Sequence, residues 1–158
     1  MHARRRRDSF PGMSRSPRPT GSYLTPRLET ALVADAMRHG ILSCSADASL
    51  RDAARTMSLH HVHTIVVSDP ADGSLWGILS DGALLDALLD GDGHERTLRE
   101  VADREMNTIS ADAPLTAAVE VMRDRGVDHL VVCNAESATP TGMLSTLDVA
   151  GILAWGEA

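Results

Sequence analysis

The segment ADASLRDAARTM, Ala46 to Met57, recurs as ADAPLTAAVEVM, Ala111 to Met122, at an offset of 65 residues. Self-similarity at a fixed spacing signals an architecture assembled from copies of one unit. The same offset carries Val62 onto Val127, and GILSDGA (Gly77 to Ala83) onto GMLSTLD (Gly142 to Asp148). Upstream, the tripeptide VAD stands at Val33 and at Val101, 68 residues apart, which predicts a three-residue length difference ahead of the first strand of each copy. Two units follow, residues 28–90 and 97–156, behind an Arg-rich tail of residues 1–22.

Both copies carry one pattern. A short helix holds VAD, and a brief extended piece follows, ILSC (Ile41 to Cys44) or NTIS (Asn107 to Ser110). Asp47 or Ser49 in one copy, and Asp112 in the other, are placed to cap the next helix, with Pro114 in its first turn. Within that helix Leu50, Ala53, Ala54 and Met57 recur at helical spacing, as do Leu115, Ala118, Val119 and Met122, giving one apolar stripe each. β-Branched runs come next, VHTIVVS (Val62 to Ser68) and VDHLVVC (Val127 to Cys133). The turn segments DPADG and NAESATPT lead to a third strand, LWGIL or TGML, and straight into a second helix. The order is β-α-β-β-α, twice, an α/β fold. A unit this small cannot cover both faces of its sheet, so the two are expected to pack as one compact module related by a pseudo-twofold axis. Two equivalent clefts then lie between the copies, at strand-to-helix junctions suited to a small ligand.

Composition narrows the function. The chain has 158 residues, 43% of them hydrophobic and only 3% aromatic, so the core is built from Ala, Val, Leu, Ile and Met. All 15 basic residues are Arg. Through Arg27 seven Arg meet one acid, a charge of +6, whereas from Leu28 onward eight Arg meet 21 acids, a charge of −13. So acidic a body argues against broad nucleic-acid binding. No apolar run is long enough for a transmembrane helix, and no secretory signal follows the basic N-terminus, so a cytoplasmic location is expected. Cys44 and Cys133 fit a reducing compartment and read as small apolar strand residues. The tail, lacking apolar periodicity, is expected to be disordered.

With its repeat, its openings VADAM (Val33 to Met37) and VADREM (Val101 to Met106) and its strand-to-helix motif G-h-h-S/T-x-x-D, the chain resembles the tandem CBS-domain pair, or Bateman module, over Leu28 to Ala154. The resemblance implies a regulatory sensor without catalytic activity, binding AMP, ADP, ATP or S-adenosylmethionine in the cleft. It also implies a homodimer stacked through its helices, and an effector protein that reads the bound state.

The motif suits a ribose. Ser145 stands at a helix start, where free N–H groups and a positive dipole end are available. Asp148, one turn on, can accept from a vicinal diol with charge-assisted bonds of about 1.5–3 kcal/mol each. Gly142 is expected to let a ligand approach the backbone closely. Ser145 as a plain N-cap with Asp148 as a first-turn acid is the alternative. The family comparison implies an adenine pocket of Leu42, Val62, His63 and Met143, and phosphate positions at Asp128 and His129 and at His63 and Thr64. Asp128 would repel a phosphate, whereas His63 and His129 can donate hydrogen bonds. The other cleft keeps Ser80 but has Ala83 in place of the carboxylate, with Asp81 expected to point elsewhere.

The cluster HHVH (His60 to His63) lacks the further ligands a metal site needs, and helix-end roles suit His60 and His61. Two other functions remain open from sequence. One is a structural pair with empty clefts. The other is a nucleic-acid binder acting through the Arg-rich tail.

Overall fold

The computed structural model describes residues 25–137 and 139–156; the Arg-rich tail of residues 1–22 lies outside them. Its elements are α1 (Val33–Ala36), β1 (Arg38–His39), β2 (Ser43–Ser45), α2 (Leu50–His60), β3 (Thr64–Ser68), β4 (Leu75–Ser80), α3 (Asp81–Leu89), α4 (Leu98–Val101), β5 (Thr108–Ser110), α5 (Leu115–Arg125), β6 (His129–Cys133), β7 (Pro140–Ser145) and α6 (Thr146–Trp155). The β-α-β-β-α unit occurs twice, as β2-α2-β3-β4-α3 and β5-α5-β6-β7-α6. In each, the first strand runs parallel to the second and the second antiparallel to the third.

The helix starts follow local chemistry. Ser49 Oγ accepts from the Asp52 N–H and caps α2. Asp112 does not cap α5: the N-cap position falls on Pro114, without a side-chain cap, and Asp112 instead takes part in a turn with the Ser110 hydroxyl. Leu50, Ala53 and Met57 are buried, as are Leu115, Ala118 and Met122. Val119 is not: it is 38% exposed, on the solvent side of the stripe.

The segment ahead of each repeat packs on the other repeat. Ala31, Val33 and Met37 join Leu115, Met122, Leu130 and Leu144 in one core. Leu98 joins Leu50, Met57, Ile65 and Leu79 in the second. The backbone repeats this exchange. Val33 donates to the Ala113 carbonyl (2.9 Å) and Leu115 to that of Ala31 (2.8 Å), while Leu98 donates to Ala48 (2.9 Å) and Leu50 to Arg96 (2.9 Å). β1 pairs antiparallel with β7, giving a sheet ordered β1-β7-β6-β5. In the sheet β2-β3-β4 the matching place is taken by a bridge from Asp103 to Ile78.

These pairings correct the register read from VAD. Val33 is equivalent to Leu98, the first residue of α4, and not to Val101, its last. The offset of 65 therefore holds through the head segments with no length difference, and the second VAD does not mark the equivalent turn. Gly142 is corrected too. A Cβ there would meet the Arg38 carbonyl and the Met37 methyl, and one at Gly77 would meet the Asp103 carbonyl. Both glycines admit the exchanged strand, not a ligand.

Candidate ligand cleft

One cavity of about 1960 Å³ runs along the junction of the two units. It is roughly twice the upper end of ordinary small-molecule pockets, about 300–1,000 Å³, because the two clefts expected from sequence open into one space. Ser145, Asp148, Met143, Leu42, Val62, His63, His129 and, from the other half, Ser80 all line it.

Ser145 and Asp148 form a reciprocal cap at the start of α6. Asp148 Oδ2 accepts from the Ser145 N–H (2.8 Å) and hydroxyl (2.6 Å), and Ser145 Oγ accepts from the Asp148 N–H (3.3 Å). One carboxylate oxygen is thus committed to the helix. The other, Oδ1, accepts from Arg38 Nε (3.2 Å). Arg38 belongs to β1, delivered by the exchange, and no local motif marks it. Its side chain is 63% exposed against 11% for Asp148, so the guanidinium can swing aside while the carboxylate stays fixed. A diol arriving here would meet Oδ1 alone, beside or in place of Arg38.

The apolar wall comes from Leu42, Val62 and Met143, all half-buried. Thr64, buried in β3, also lines the cavity, and its Oγ1 has no hydrogen-bond partner among the described residues. A buried hydroxyl left unpaired costs about 1–3 kcal/mol, which a polar ligand atom can recover.

In the first half Ser80 caps α3 by accepting from the Ala83 N–H (3.2 Å). Ala83 packs against the core of the first unit and is absent from the cavity wall. Asp103 holds the sheet register that Arg38 holds in the other half, so a carboxylate at position 83 would face another carboxylate instead of an arginine. Asp81 does not point elsewhere: it lines the cavity, and its Oδ2 lies 3.0 Å from His63 Nδ1.

His129 is half-buried, and burial pushes its imidazole below the ordinary value. Asp128, Asp81 and Asp148 oppose that shift and the His63 ring assists it, so charges from both repeats converge on one place. His60 ends α2 and His61 caps it in the left-handed conformation (φ 52°); both also line the cavity. Of the basic residues, Arg38, Arg104 and Arg125 line it. Arg104 stacks on Trp76 at 3.7 Å, with Arg99 also over that ring at 4.2 Å. Cys44 and Cys133 are free and half-buried, and burial raises the Cys133 thiol.

The family model described as CBS domain matches the chain twice, at residues 33–90 and 98–154. The chain belongs to the CBS domain family, and its two repeats form a CBS pair. Among solved structures, the CBS domain pair of protein MJ0100, in complex with 5′-methylthioadenosine and S-adenosyl-L-methionine, aligns at TM-score 0.71 and 19% identity, over 78% of this chain and 96% of that one. The CBS-domain-containing protein ATU1752 from Agrobacterium tumefaciens aligns at 0.70 and 21%, over 77% and 92%. The CBS domain of a bacterial CNNM/CorC family Mg2+ transporter aligns at 0.69 and 20%, over 83% and 79%. At such identities the likeness concerns the fold. No curated protein sequence matches the chain. No helix among the described residues is long and apolar enough to cross a membrane.

Proposed function

We propose that this CBS pair is a regulatory sensor that binds an adenosine-type ligand, AMP, ADP, ATP or S-adenosylmethionine, in the cavity between its repeats. The observation that carries the reading is Asp148, held rigid by the Ser145 cap, opening Oδ1 into the same cavity as the apolar Leu42, Val62 and Met143. Ribose and base would occupy those two surfaces, with the unpaired Thr64 hydroxyl as a further polar contact. The adenosyl compounds bound by the MJ0100 pair support the ligand class. No catalytic role is assigned to any residue. The bound state is read by an effector protein in the cytoplasm.

A homodimer through α3 and α6 fits the same reading. Leu85, Leu88 and Leu89 on α3 and Leu147, Leu153 and Trp155 on α6 are exposed, and apolar side chains left on the surface of each helix offer an interaction surface. Sedimentation equilibrium is expected to give twice the chain mass, and a monomer at all concentrations would remove this part.

Thermal shift against AMP, ADP, ATP, S-adenosylmethionine and NAD tests the ligand reading. At about 100 times its dissociation constant a ligand stabilises by about 2.7 kcal/mol. Asp148→Asn keeps an acceptor for the Ser145 N–H and loses the charge, so its response is expected to be much weaker. If nothing shifts the parent, or Asp148→Asn responds as the parent does, the site is wrong and the empty structural pair stands. Nucleic acid bound only by chains retaining residues 1–22 would favour the tail instead.

A further inference from the structure

Five of the six histidines among the described residues line the one cavity: His39, His60, His61, His63 and His129, with His94 elsewhere. They come from β1, from the end of α2 and the loop after it, and from β6. Carboxylates face them from both repeats: Asp81, Asp103 and Glu105, and Asp124, Asp128 and Asp148. Against these stand Arg38, Arg104 and Arg125. Arg38 is paired with Asp148 and Arg104 is stacked on Trp76, so only part of that positive charge is available to a ligand. With neutral imidazoles the wall carries six negative charges against three positive. Protonation of the five rings would reverse its sign. Imidazole is the side chain whose ordinary titration falls between about pH 5 and pH 8.

We propose that these histidines make the cavity's preference for the charge of its adenosyl ligand a function of pH. A phosphate-bearing ligand binds with proton uptake by the cavity, whereas a cationic, sulfonium-type ligand binds the neutral-histidine form and is expelled on acidification. This rests on the adenosine reading above and adds to it the charge class of the ligand. The contact between His63 Nδ1 and Asp81 Oδ2 is a point where a proton converts a neutral hydrogen bond into an ion pair. That frees the rest of the wall from one uncompensated carboxylate. His129, half-buried, lies within the electrostatic reach of His63, Asp81, Asp128 and Asp148, so the two rings share one neighbourhood built from both halves.

The test uses the full chain and three adenosyl compounds of fixed charge: adenosine 5′-sulfate, 5′-methylthioadenosine and 5′-deoxy-5′-dimethylsulfonioadenosine. Their charges are negative, neutral and positive and do not change over the range used. Calorimetric titration between about pH 7.5 and about pH 5.5, in buffers of different ionisation enthalpy, reads affinity and proton uptake together. Affinity for the sulfate ester is expected to rise about tenfold on acidification and that for the sulfonium to fall by a similar factor, with the neutral compound changing least. Proton uptake is expected with the sulfate ester alone. The double variant His63→Gln, His129→Gln is expected to flatten both slopes. Equal pH slopes for all three compounds overturn the inference while leaving the adenosine reading intact, and no variant is needed to see it. If none of the three binds at any pH, the adenosine reading fails and the inference fails with it.

Discussion

Asp148 serves the helix and the cavity at once, and the division falls between its two oxygens. Oδ2 completes the cap with Ser145, while Oδ1 faces Arg38 and the cleft. The capping interpretation and the ligand interpretation of the motif are therefore compatible, which a sequence pattern cannot reveal because both use the same residues. His129 carries a second consequence at this scale. Burial lowers its folded-state value below 6.5, so between that lowered value and 6.5 the unfolded chain holds more protons. Stability present above this window is lost as the pH falls through it. His129→Gln is expected to make the decline in Tm between about pH 7 and about pH 5.5 shallower than in the parent. Superimposable declines would show that the ring's burial does not contribute.

The elements that set the site are the short exchanged ones. β1 is two residues long, yet it brings Arg38 to Asp148, and Gly142 gives it room. Gly142→Ala is expected to push β1 off β7 and to cost about 1–3 kcal/mol in urea denaturation, as overpacking does. Gly151→Ala supplies the contrast. A Cβ there meets nothing within 4 Å, in the middle of α6, so the substitution is expected to be neutral or stabilising by up to about 1 kcal/mol. Equal effects of the two would refute the close-approach account. The long amphipathic helices and the β-branched strands were legible from spacing alone. The placement of α1 and α4 was not. Four-residue helices have no period to read, and the recurrence of VAD pointed to the wrong equivalence.

At the scale of the molecule, the exchange ties the two units into one folding body. The core of the second repeat contains Val33, fully buried, and Met37, 7% exposed, both from ahead of the first repeat. Removing residues 1–40 takes both away, at about 1.5–3 kcal/mol of buried apolar side chain each. The shortened chain is expected to melt well below the parent, and in two steps where the parent melts in one, by far-UV circular dichroism. A parent-like single transition would mean that each repeat is self-sufficient. Both exchanged segments, residues 38–42 and 103–108, line the cavity, alongside histidines and carboxylates of both halves.

By itself the sequence determined the repeat, the β-α-β-β-α order and the membership suggested by the motifs. Those features rest on periodicity, spacing and short motifs, which are local properties of the chain; the pocket residues Leu42, Val62, His63, Met143 and His129 came only from the family resemblance. The tertiary structure decided that the head segments cross between units, that Gly142 and Gly77 serve strand packing, that Asp81 reaches His63, and that Arg38 meets Asp148. The Arg38–Asp148 pair joins residues 110 positions apart. Such a contact depends on which half a short segment packs against, and that choice is made by the buried Val33 and Leu98 in their cores, not by any pattern around the charged residues themselves.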